Sequence, residues 1–195
     1  MIKLDNYNNE LSIFQYYDNF FNNEYYNDIY SWLSNQKFKS GHNKTKDKID
    51  REQIWFEKNK SYFCKKWKER YPRWESEEYD NFLLDLQNKI RNHFLIDVNS
   101  CLINKYNNGG DYITPHKDNS ISFGSQPDII IYSLGCTRDM IIKNDSTDKI
   151  IKFSLKPNSI LIMSGASQKN FTHEIPKDNS IDIRYSLTFR KYLKN

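Results

Sequence analysis

The second half of the chain is a series of short apolar runs separated by turn-forming segments, and this spacing restricts the fold more than any other feature. Turn-forming pieces such as "NNGGD", "KNDSTD" and "KPNS" lie between the runs. Many short strands with regular turns are typical of a sandwich or a barrel. The predicted strands cover residues 100–106, 128–134, 140–143, 150–155, 159–163 and 181–192.

The first half has a helical pattern. Large apolar residues recur at helical spacing over residues 20–33 and again over residues 75–94. With 37% hydrophobic and 15% aromatic residues in a chain of 195, much of the core must come from Tyr, Phe and Trp. We therefore expect an α+β fold with a mainly β core and N-terminal helices packed on it, in one domain over residues 1–195.

Charge and cysteine content narrow the class of protein. The net charge of +4 permits contact with phosphates without demanding it. The three cysteines form no CxxC pair, which argues against a disulfide framework or a zinc ribbon. The N-terminus "MIKLDNYNNE" has no apolar leader, and no run approaches about 18 apolar residues. We expect an intracellular protein of a reducing compartment, neither secreted nor membrane-spanning.

A polar, basic segment covers residues 37–74 and includes "HNKTKDK" and "CKKWKERYPRW". One interpretation is a solvated connection between the helices. The other is a phosphate-facing surface in which Trp67, Tyr71 and Trp74 alternate with basic residues. The segment alone does not favour either one.

The stretch "TPHKDN" carries the first chemical signal. His116 and Asp118 are two residues apart, so on a strand both side chains point the same way and can hold a metal. The alternative is a surface histidine near a carboxylate. His173 in "FTHEIP" is the candidate third ligand, since His42 and His93 lie where structural or exposed roles are expected. Two histidines and a carboxylate form the facial triad typical of non-haem iron(II) oxygenases.

The stretch "RYSLTFR" carries the second signal. As a strand it places Arg184, Ser186, Thr188 and Arg190 on one face. Two buried guanidinium groups need anionic partners, and the dianion 2-oxoglutarate, a common co-substrate of such iron sites, supplies two carboxylates. The alternative for each arginine is an ordinary salt bridge.

A polar pair precedes the candidate metal site. Asn104 and Tyr106 in "INKYNNGGD" share one face of the predicted strand, and both can donate a hydrogen bond to a carboxylate. The alternative is ordinary polar content of a β-sheet.

Together these motifs resemble the AlkB-like family of Fe(II)/2-oxoglutarate dioxygenases. The matching pieces are "NKYNNGGDYITPHKD", "SLGCTRDM", "THEIP" and "RYSLTFRKY", and the likeness covers residues 50–192. It implies a double-stranded β-helix, or jelly roll, as the catalytic core over residues 98–192. A helical part over residues 1–97 would carry a substrate-recognition lid over about residues 40–74.

The resemblance also implies the roles of individual residues. It assigns iron to His116, Asp118 and His173, and 2-oxoglutarate to Asn104, Tyr106, Arg184, Ser186 and Arg190. Arg184 would bind the distal carboxylate, and Arg190 would lie nearer the metal-chelating end. Many family members have Asn where this chain has Ser186, whose shorter side chain reaches less far.

A looser likeness extends to the substrate side. In "DREQIWF" it places Arg51, Gln53 and Trp55 in the lid segment before the target-base pocket. Further implied substrate contacts are Tyr62 or Phe63 stacking on a flipped base, Asn119 reading the base, and Arg138 on the nucleic-acid backbone. The alternatives are core packing for the two rings, a turn for Asn119, and a structural pair with Asp139 for Arg138.

The implied function is oxidative demethylation of N-alkylated bases in DNA or RNA, with iron(II), 2-oxoglutarate and O₂. We expect a monomer that acts on nucleic acid without an obligate protein partner. One alternative is a 2-oxoglutarate oxygenase for a protein or small-molecule substrate. Another is a non-catalytic jelly-roll binding module.

Overall fold

A computed structural model describes residues 1–42, 48–64 and 74–193, with the backbone alone at residues 42 and 48–50. Parts of the predicted lid, including Trp67 and Tyr71, lie outside the described residues. The helices are α1 (Asn23–Ser34), α2 (Asn81–Phe94), α3 (Ser120–Phe123) and α4 (Ser167–Asn170). The strands are β1 (Ile2–Tyr7), β2 (Glu10–Tyr17), β3 (Lys39–His42), β4 (Lys48–Glu57), β5 (Ser100–Tyr106), β6 (Ile113–His116), β7 (Ile129–Gly135), β8 (Arg138–Asn144), β9 (Ile150–Leu155), β10 (Ser159–Gly165), β11 (Phe171–Ile175) and β12 (Arg184–Arg190).

The strands form two antiparallel sheets. The larger sheet has the order β1-β2-β10-β7-β12-β5-β4-β3, and the smaller has the order β6-β11-β8-β9. Side chains of both sheets, among them Phe14, Ile131, Met140 and Phe171, form a shared apolar core between them. Two packed antiparallel sheets with crossing connections are the predicted jelly-roll architecture.

The two long helices cover the outer face of the larger sheet. Ile29 and Leu33 of α1 and Leu86 of α2 are fully buried against residues such as Leu187 of β12. The central strands of the larger sheet are therefore buried on both faces. Among the described helices none is long and apolar enough to cross a membrane.

The predicted helices are present, but the second begins later than its apolar pattern indicates. The prediction started at residue 75, whereas α2 begins at Asn81. Asp80 accepts a hydrogen bond from the backbone N–H of Leu83 at 2.8 Å and so caps the helix. Before it, the backbone N–H of Glu77 donates to the Trp55 carbonyl at 2.7 Å, which ties this segment to β4.

The first half, predicted as a helical part, contains the strands β1 to β4 in addition to the two helices. Strand β2 pairs with β10, and β4 pairs with β5, so both belong to the larger sheet. In β4 the residues Ile54 and Trp55 face opposite sides, and both are buried. A strand buried on both faces lacks the apolar–polar alternation that would have revealed it.

The predicted strands of the second half are all present, with shifts of a few residues at their ends. The structure adds two short strands, β6 and β11, which the apolar runs did not show. These two strands carry His116 and His173. The two predicted histidine ligands thus lie on strands of four and five residues, which are too short to be found from a hydrophobic pattern.

Candidate functional site

A cavity of about 310 Å³ opens between the inner face of the larger sheet and the strands β6 and β11. That volume is at the lower end of the range for small-molecule sites. All eight residues predicted for iron and 2-oxoglutarate line it: Asn104, Tyr106, His116, Asp118, His173, Arg184, Ser186 and Arg190.

Strand pairing brings the predicted metal ligands together. His173 on β11 lies directly opposite His116 on β6, and their ring centroids are 4.3 Å apart. One ligand atom from each histidine and from Asp118 lie within 4.8 Å of one another. Strand β6 ends at His116, so Asp118 reaches the site from the loop that follows. The prediction that His116 and Asp118 share one strand is wrong, although both side chains do reach the same site. The Asp118 backbone N–H donates to Gln168 Oε1 at 3.1 Å, which holds this loop.

Hydrogen bonding determines which nitrogen His116 presents. Its Nδ1 lies 2.8 Å from the Thr114 carbonyl, which can only accept, so the proton belongs on Nδ1. The Nε2 lone pair is then free, 4.0 Å from Asp118 Oδ1. A neutral imidazole with its other nitrogen bonded to a carbonyl is the usual form of a histidine metal ligand.

Burial favours the neutral form of both imidazoles. It lowers the pKa of His173 to about 3, with a further contribution from His116. Burial also lowers the pKa of His116. For Asp118 burial acts to raise the pKa, but the charge of Arg190 opposes it and the pKa stays below its usual value. At neutral pH the three groups therefore offer two lone pairs and one negative charge.

Arg190 forms an ion pair inside the cavity. Its Nε donates to Asp118 Oδ2, and both side chains are buried. Its Nη1 is buried and has no hydrogen-bond partner among the described residues. The alternative of a salt bridge therefore applies to Arg190, although its partner is itself a predicted metal ligand.

Arg184 is different because its charge has no carboxylate partner in the part of the chain that the structure describes. The side chain is 0% exposed, and Nη2 donates to Ser133 Oγ at 3.0 Å. Its Nε and Nη1 are buried and have no hydrogen-bond partner among these residues. The guanidinium lies over the Tyr106 ring, 5.1 Å from the centroid. An unpaired buried cation is costly, so this position is suited to an anionic ligand.

The remaining co-substrate candidates surround Arg184 in the sheet. Tyr106 of β5 pairs with Arg184 of β12, and Asn104 pairs with Ser186. All four line the cavity on the same face of the sheet, as the period of two predicts. The outer face of β12 instead carries Tyr185, Leu187 and Phe189, which pack in the core below the helices.

The predicted substrate residues separate into two groups. Arg51, Gln53, Phe63 and Asn119 line the cavity. Arg51 and Gln53, predicted for the lid segment, lie on β4, a strand of the larger sheet that pairs with β5. Asn119 Oδ1 accepts from the Ile121 backbone N–H at 3.0 Å and caps α3, which is the predicted turn role.

Trp55 and Tyr62 do not line the cavity. Trp55 is fully buried in a small aromatic core with Phe63, Phe123 and Tyr192, and its Nε1 donates to the Ser61 carbonyl at 2.9 Å. Tyr62 is half-buried at the edge of that core. Trp55, predicted for the lid segment, therefore packs in the core, and Tyr62 packs at the edge of that core, which is the alternative to its predicted base stacking.

The prediction that Arg138 contacts a nucleic-acid backbone is wrong. Its side chain is 1% exposed, and its Nε lies 2.7 Å from Asp178 Oδ2. It also donates to the carbonyls of Asn108 at 3.2 Å and Asp111 at 3.0 Å. Arg138 joins the loop after β5 to the segment after β11. Its expected partner, Asp139, instead pairs with Lys152 at 2.7 Å.

Several cavity residues were not predicted as site residues. Leu102 and Thr188 line it, and the period of two extended from Asn104 and Arg190 would have found both. Trp74 also lines it, so one aromatic residue of the basic segment does face the site. Gln168 accepts a hydrogen bond from the Asp118 backbone, and no motif around residue 168 predicts this contact.

Comparison with known proteins now identifies the family. A model described as the 2OG-Fe(II) oxygenase superfamily matches residues 14–190. The chain belongs to this superfamily. The family's iron(II) and 2-oxoglutarate are the cofactors predicted from the sequence, and the predicted enzyme class is confirmed at the level of the family.

The chain is also similar to a named AlkB homologue. It is 31% identical over 119 residues to the DNA oxidative demethylase ALKBH2 of Arabidopsis thaliana, covering 49% of this chain and 38% of that protein. The chain spans about two-fifths of the length of the curated relatives it matches. The predicted AlkB-like resemblance is confirmed.

Solved structures share the fold at low sequence identity. OsALKBH1 matches with a TM-score of 0.64 at 16% identity, covering 91% of this chain and 97% of that chain. A prolyl hydroxylase from Trichoplax adhaerens, in complex with a hypoxia inducible factor peptide fragment, matches with a TM-score of 0.62 at 13% identity, covering 92% and 83%. The jelly-roll prediction is confirmed, and the fold does not by itself distinguish substrates.

We predict that Arg138→Met destabilises the protein and, because the side chain is buried, leaves any salt-dependent binding of oligonucleotides unchanged. The substitution leaves Asp178 and several buried carbonyls without their donor, which we expect to lower the free energy of unfolding by about 3 kcal/mol. Chemical denaturation measures the first effect, and the salt dependence of oligonucleotide binding measures the second. A reduced salt slope in a stably folded variant would show that Arg138 contacts phosphate after all.

Proposed function

We propose that this protein is an Fe(II)/2-oxoglutarate-dependent oxygenase that removes alkyl groups from N-alkylated bases in DNA or RNA. The observation that carries the oxygenase assignment is the unpaired, buried Arg184 in the cavity that contains His116, Asp118 and His173. The likeness to a relative named as a DNA oxidative demethylase supports the class of substrate.

The donor set fits iron(II). His116 would bind through Nε2, because Nδ1 is engaged by Thr114, and Asp118 would bind through one carboxylate oxygen. His173 has a buried Nδ1 with no hydrogen-bond partner among the described residues, so no hydrogen bond at this atom competes with metal binding by the ring. Two imidazoles and one carboxylate leave positions for a co-substrate and O₂. Bound iron, with these co-substrates, supplies the oxidation of the alkyl carbon that releases it as an aldehyde.

The opposite wall fits a dicarboxylate. Arg184 would bind the distal carboxylate through its guanidinium, in which Nε and Nη1 lack hydrogen-bond partners among the described residues. Tyr106 and Ser186 lie beside it in register and can add hydroxyl hydrogen bonds. Arg190 donates through Nε to Asp118, and its Nη1 has no hydrogen-bond partner among the described residues, so this arginine lies at the metal end of the site with a donor left for the co-substrate. Such charge-assisted hydrogen bonds orient a small diacid as well as bind it.

The lining of the cavity offers an aromatic surface for an unstacked base. Phe63 and Trp74 both line it, and their rings contact each other with centroids 4.7 Å apart at an interplanar angle of 30°, so a base would pack against this pair and not between its rings. Flipped bases are held between aromatic or apolar side chains in enzymes that react at the base. Arg51 adds a positive charge on the same wall, which suits a polyanionic substrate.

We also propose that the protein acts as a monomer in a reducing, intracellular compartment. Its three cysteines are free, and Cys64 and Cys101 are buried. Free buried thiols are compatible with a reducing environment. Size-exclusion chromatography with light scattering tests the monomer, and a concentration-dependent dimer would contradict it.

We predict that His173→Ala abolishes tight metal binding. Removing one of three protein ligands should weaken Mn(II), used as a redox-inert substitute for iron(II), by at least about 100-fold in an equilibrium titration. His93→Ala is the matched control, because His93 lies at the end of α2 against Phe20. Equal affinity in the His173→Ala variant and the wild type would contradict the assignment of the ligands.

We predict that Arg184→Met raises the Kd for 2-oxoglutarate by about 30-fold or more, because the distal carboxylate loses its charged partner. Isothermal titration of the Mn(II)-loaded protein measures this change. Arg91→Met is the control, since Arg91 lies on α2 and forms a surface ion pair with Asp97, which follows that helix. If both variants bind 2-oxoglutarate like the wild type, Arg184 is not the anion site.

We predict that the iron-loaded protein releases formaldehyde and succinate together from N-methylated oligonucleotides. The panel contains DNA and RNA, single- and double-stranded, with one methylated base in each. Mass spectrometry detects the repaired base. Oligonucleotide affinity should fall with salt, because phosphates contribute to binding. Turnover of peptide or small-molecule substrates, with none of any oligonucleotide, would replace the proposed substrate while leaving the oxygenase chemistry in place.

A further inference from the structure

Three side chains on the β4–β5 wall of the cavity form a polar network. Gln53 of β4 lies directly opposite Asn104 of β5. Gln53 Nε2 donates to Asn104 Oδ1 at 2.8 Å, and Arg51 Nε donates to the same oxygen at 3.2 Å. Gln53 is 1% exposed and Asn104 5% exposed, so contacts within the protein, and not water, determine the orientation of both amides. One carbonyl oxygen thus accepts two hydrogen bonds from the neighbouring strand.

The arginine determines how the Asn104 amide is turned. A guanidinium has only donors, so the atom of Asn104 that faces Arg51 must be the oxygen. Arg51 is itself held, because its Nη1 donates to the Tyr112 carbonyl at 3.0 Å. The Nδ2 group of Asn104 is therefore the remaining donor, and no described residue accepts a hydrogen bond from it.

The same reasoning fixes Gln53. Since Asn104 Oδ1 can only accept, Gln53 must present its Nε2 to it, and the reverse orientation would set two oxygens against each other. Gln53 Oε1 is then left buried, with no hydrogen-bond partner among the described residues. Leaving a buried acceptor unpaired costs free energy, so some gain must offset it. The gain we identify is the fixed orientation of Asn104.

We propose that Gln53, together with Arg51, is a positioning residue that holds Asn104 with its Nδ2 toward a carboxylate of 2-oxoglutarate. The inference rests on the proposed function, in which Asn104 contacts the co-substrate. An amide N–H facing a carboxylate donates a charge-assisted hydrogen bond, whereas an amide oxygen in that place repels it. Gln53 touches neither co-substrate nor metal in this role, and it acts only through Asn104.

The test uses Gln53→Glu, which keeps the size of the side chain and removes its donor. The carboxylate repels Asn104 Oδ1 and favours the flipped amide. We expect the Kd of 2-oxoglutarate for the Mn(II)-loaded protein, measured by isothermal titration, to rise about tenfold. The KM for 2-oxoglutarate should rise similarly, with kcat at saturating 2-oxoglutarate largely retained, because the reacting groups are untouched.

Gln87→Glu is the matched control. Gln87 is equally buried, but it lies on α2 across the sheet, and its Oε1 accepts from the Tyr79 hydroxyl at 2.6 Å. It should lower stability without changing the Kd for 2-oxoglutarate. Gln53→Met should raise this Kd only about twofold, because Arg51 still holds Asn104. The double variant Arg51→Met, Gln53→Met should raise it by more than the product of the single effects.

The outcomes separate this inference from the proposed function. Asn104→Leu serves as the reference, and a tenfold loss of 2-oxoglutarate affinity in it supports the contact itself. If Asn104→Leu loses affinity while Gln53→Glu and the double variant bind normally, the positioning role is wrong and the proposed function stands. If none of these variants changes the Kd, Asn104 does not contact the co-substrate and the positioning role is wrong, whereas the oxygenase assignment is decided by the Arg184→Met measurement. Should Gln53→Glu fail to fold, the uncharged double variant decides.

Discussion

The site depends on the register of β12 between β5 and β7. In this register Arg184 lies opposite Tyr106 and Gly135, and alternate residues of β12 point into the cavity. A slip of one residue would turn both guanidinium groups into the apolar core below the helices and bring Leu187 into the cavity. Because β12 is buried on both faces, such a slip would bury charge among aliphatic side chains. The hydrophobic outer face therefore specifies the position of the polar inner face.

The inner face has a charge pattern that the protein alone does not balance. Among the described residues, Arg51, Lys117, Arg184 and Arg190 line the cavity together with one carboxylate, that of Asp118. Burial lowers the pKa of Arg184, yet a guanidinium stays charged in proteins. A doubly charged co-substrate and the family's metal change this balance in opposite directions. A ligand that binds only the folded state also stabilises it, so the cost of this charge is lowest in the loaded enzyme.

The sequence predicted the candidate site best where the functional residues lie close together in a short motif with its own spacing. The triad and the arginine pair were found because each motif carries its own spacing, and the alternation in β12 placed Ser186 and Thr188 correctly. Strand β2 was missed because one of its two buried residues, Ser12, is polar, and β4 because neighbouring residues such as Ile54 and Trp55 are both buried. The role of Arg138 was missed because its carbonyl partners come from loops distant in sequence. Contacts that exist only after two segments meet leave no local pattern.

The two carboxylate oxygens of Asp118 face different groups, and this arrangement connects the metal end of the site to Arg190 on β12. Oδ2 accepts from Arg190 Nε, while Oδ1 lies 4.0 Å from His116 Nε2, where a metal shared with the histidines would be bound. A carboxylate with one oxygen engaged in this way can offer the metal only the other, which favours monodentate binding and leaves coordination positions open. Arg190 also lowers the pKa of Asp118 against the effect of burial, so the ligand stays ionised. The two arginines of β12 thus differ in their partners, since Arg190 pairs with Asp118, whereas Arg184 has no carboxylate partner among the described residues and in the proposed function binds the co-substrate.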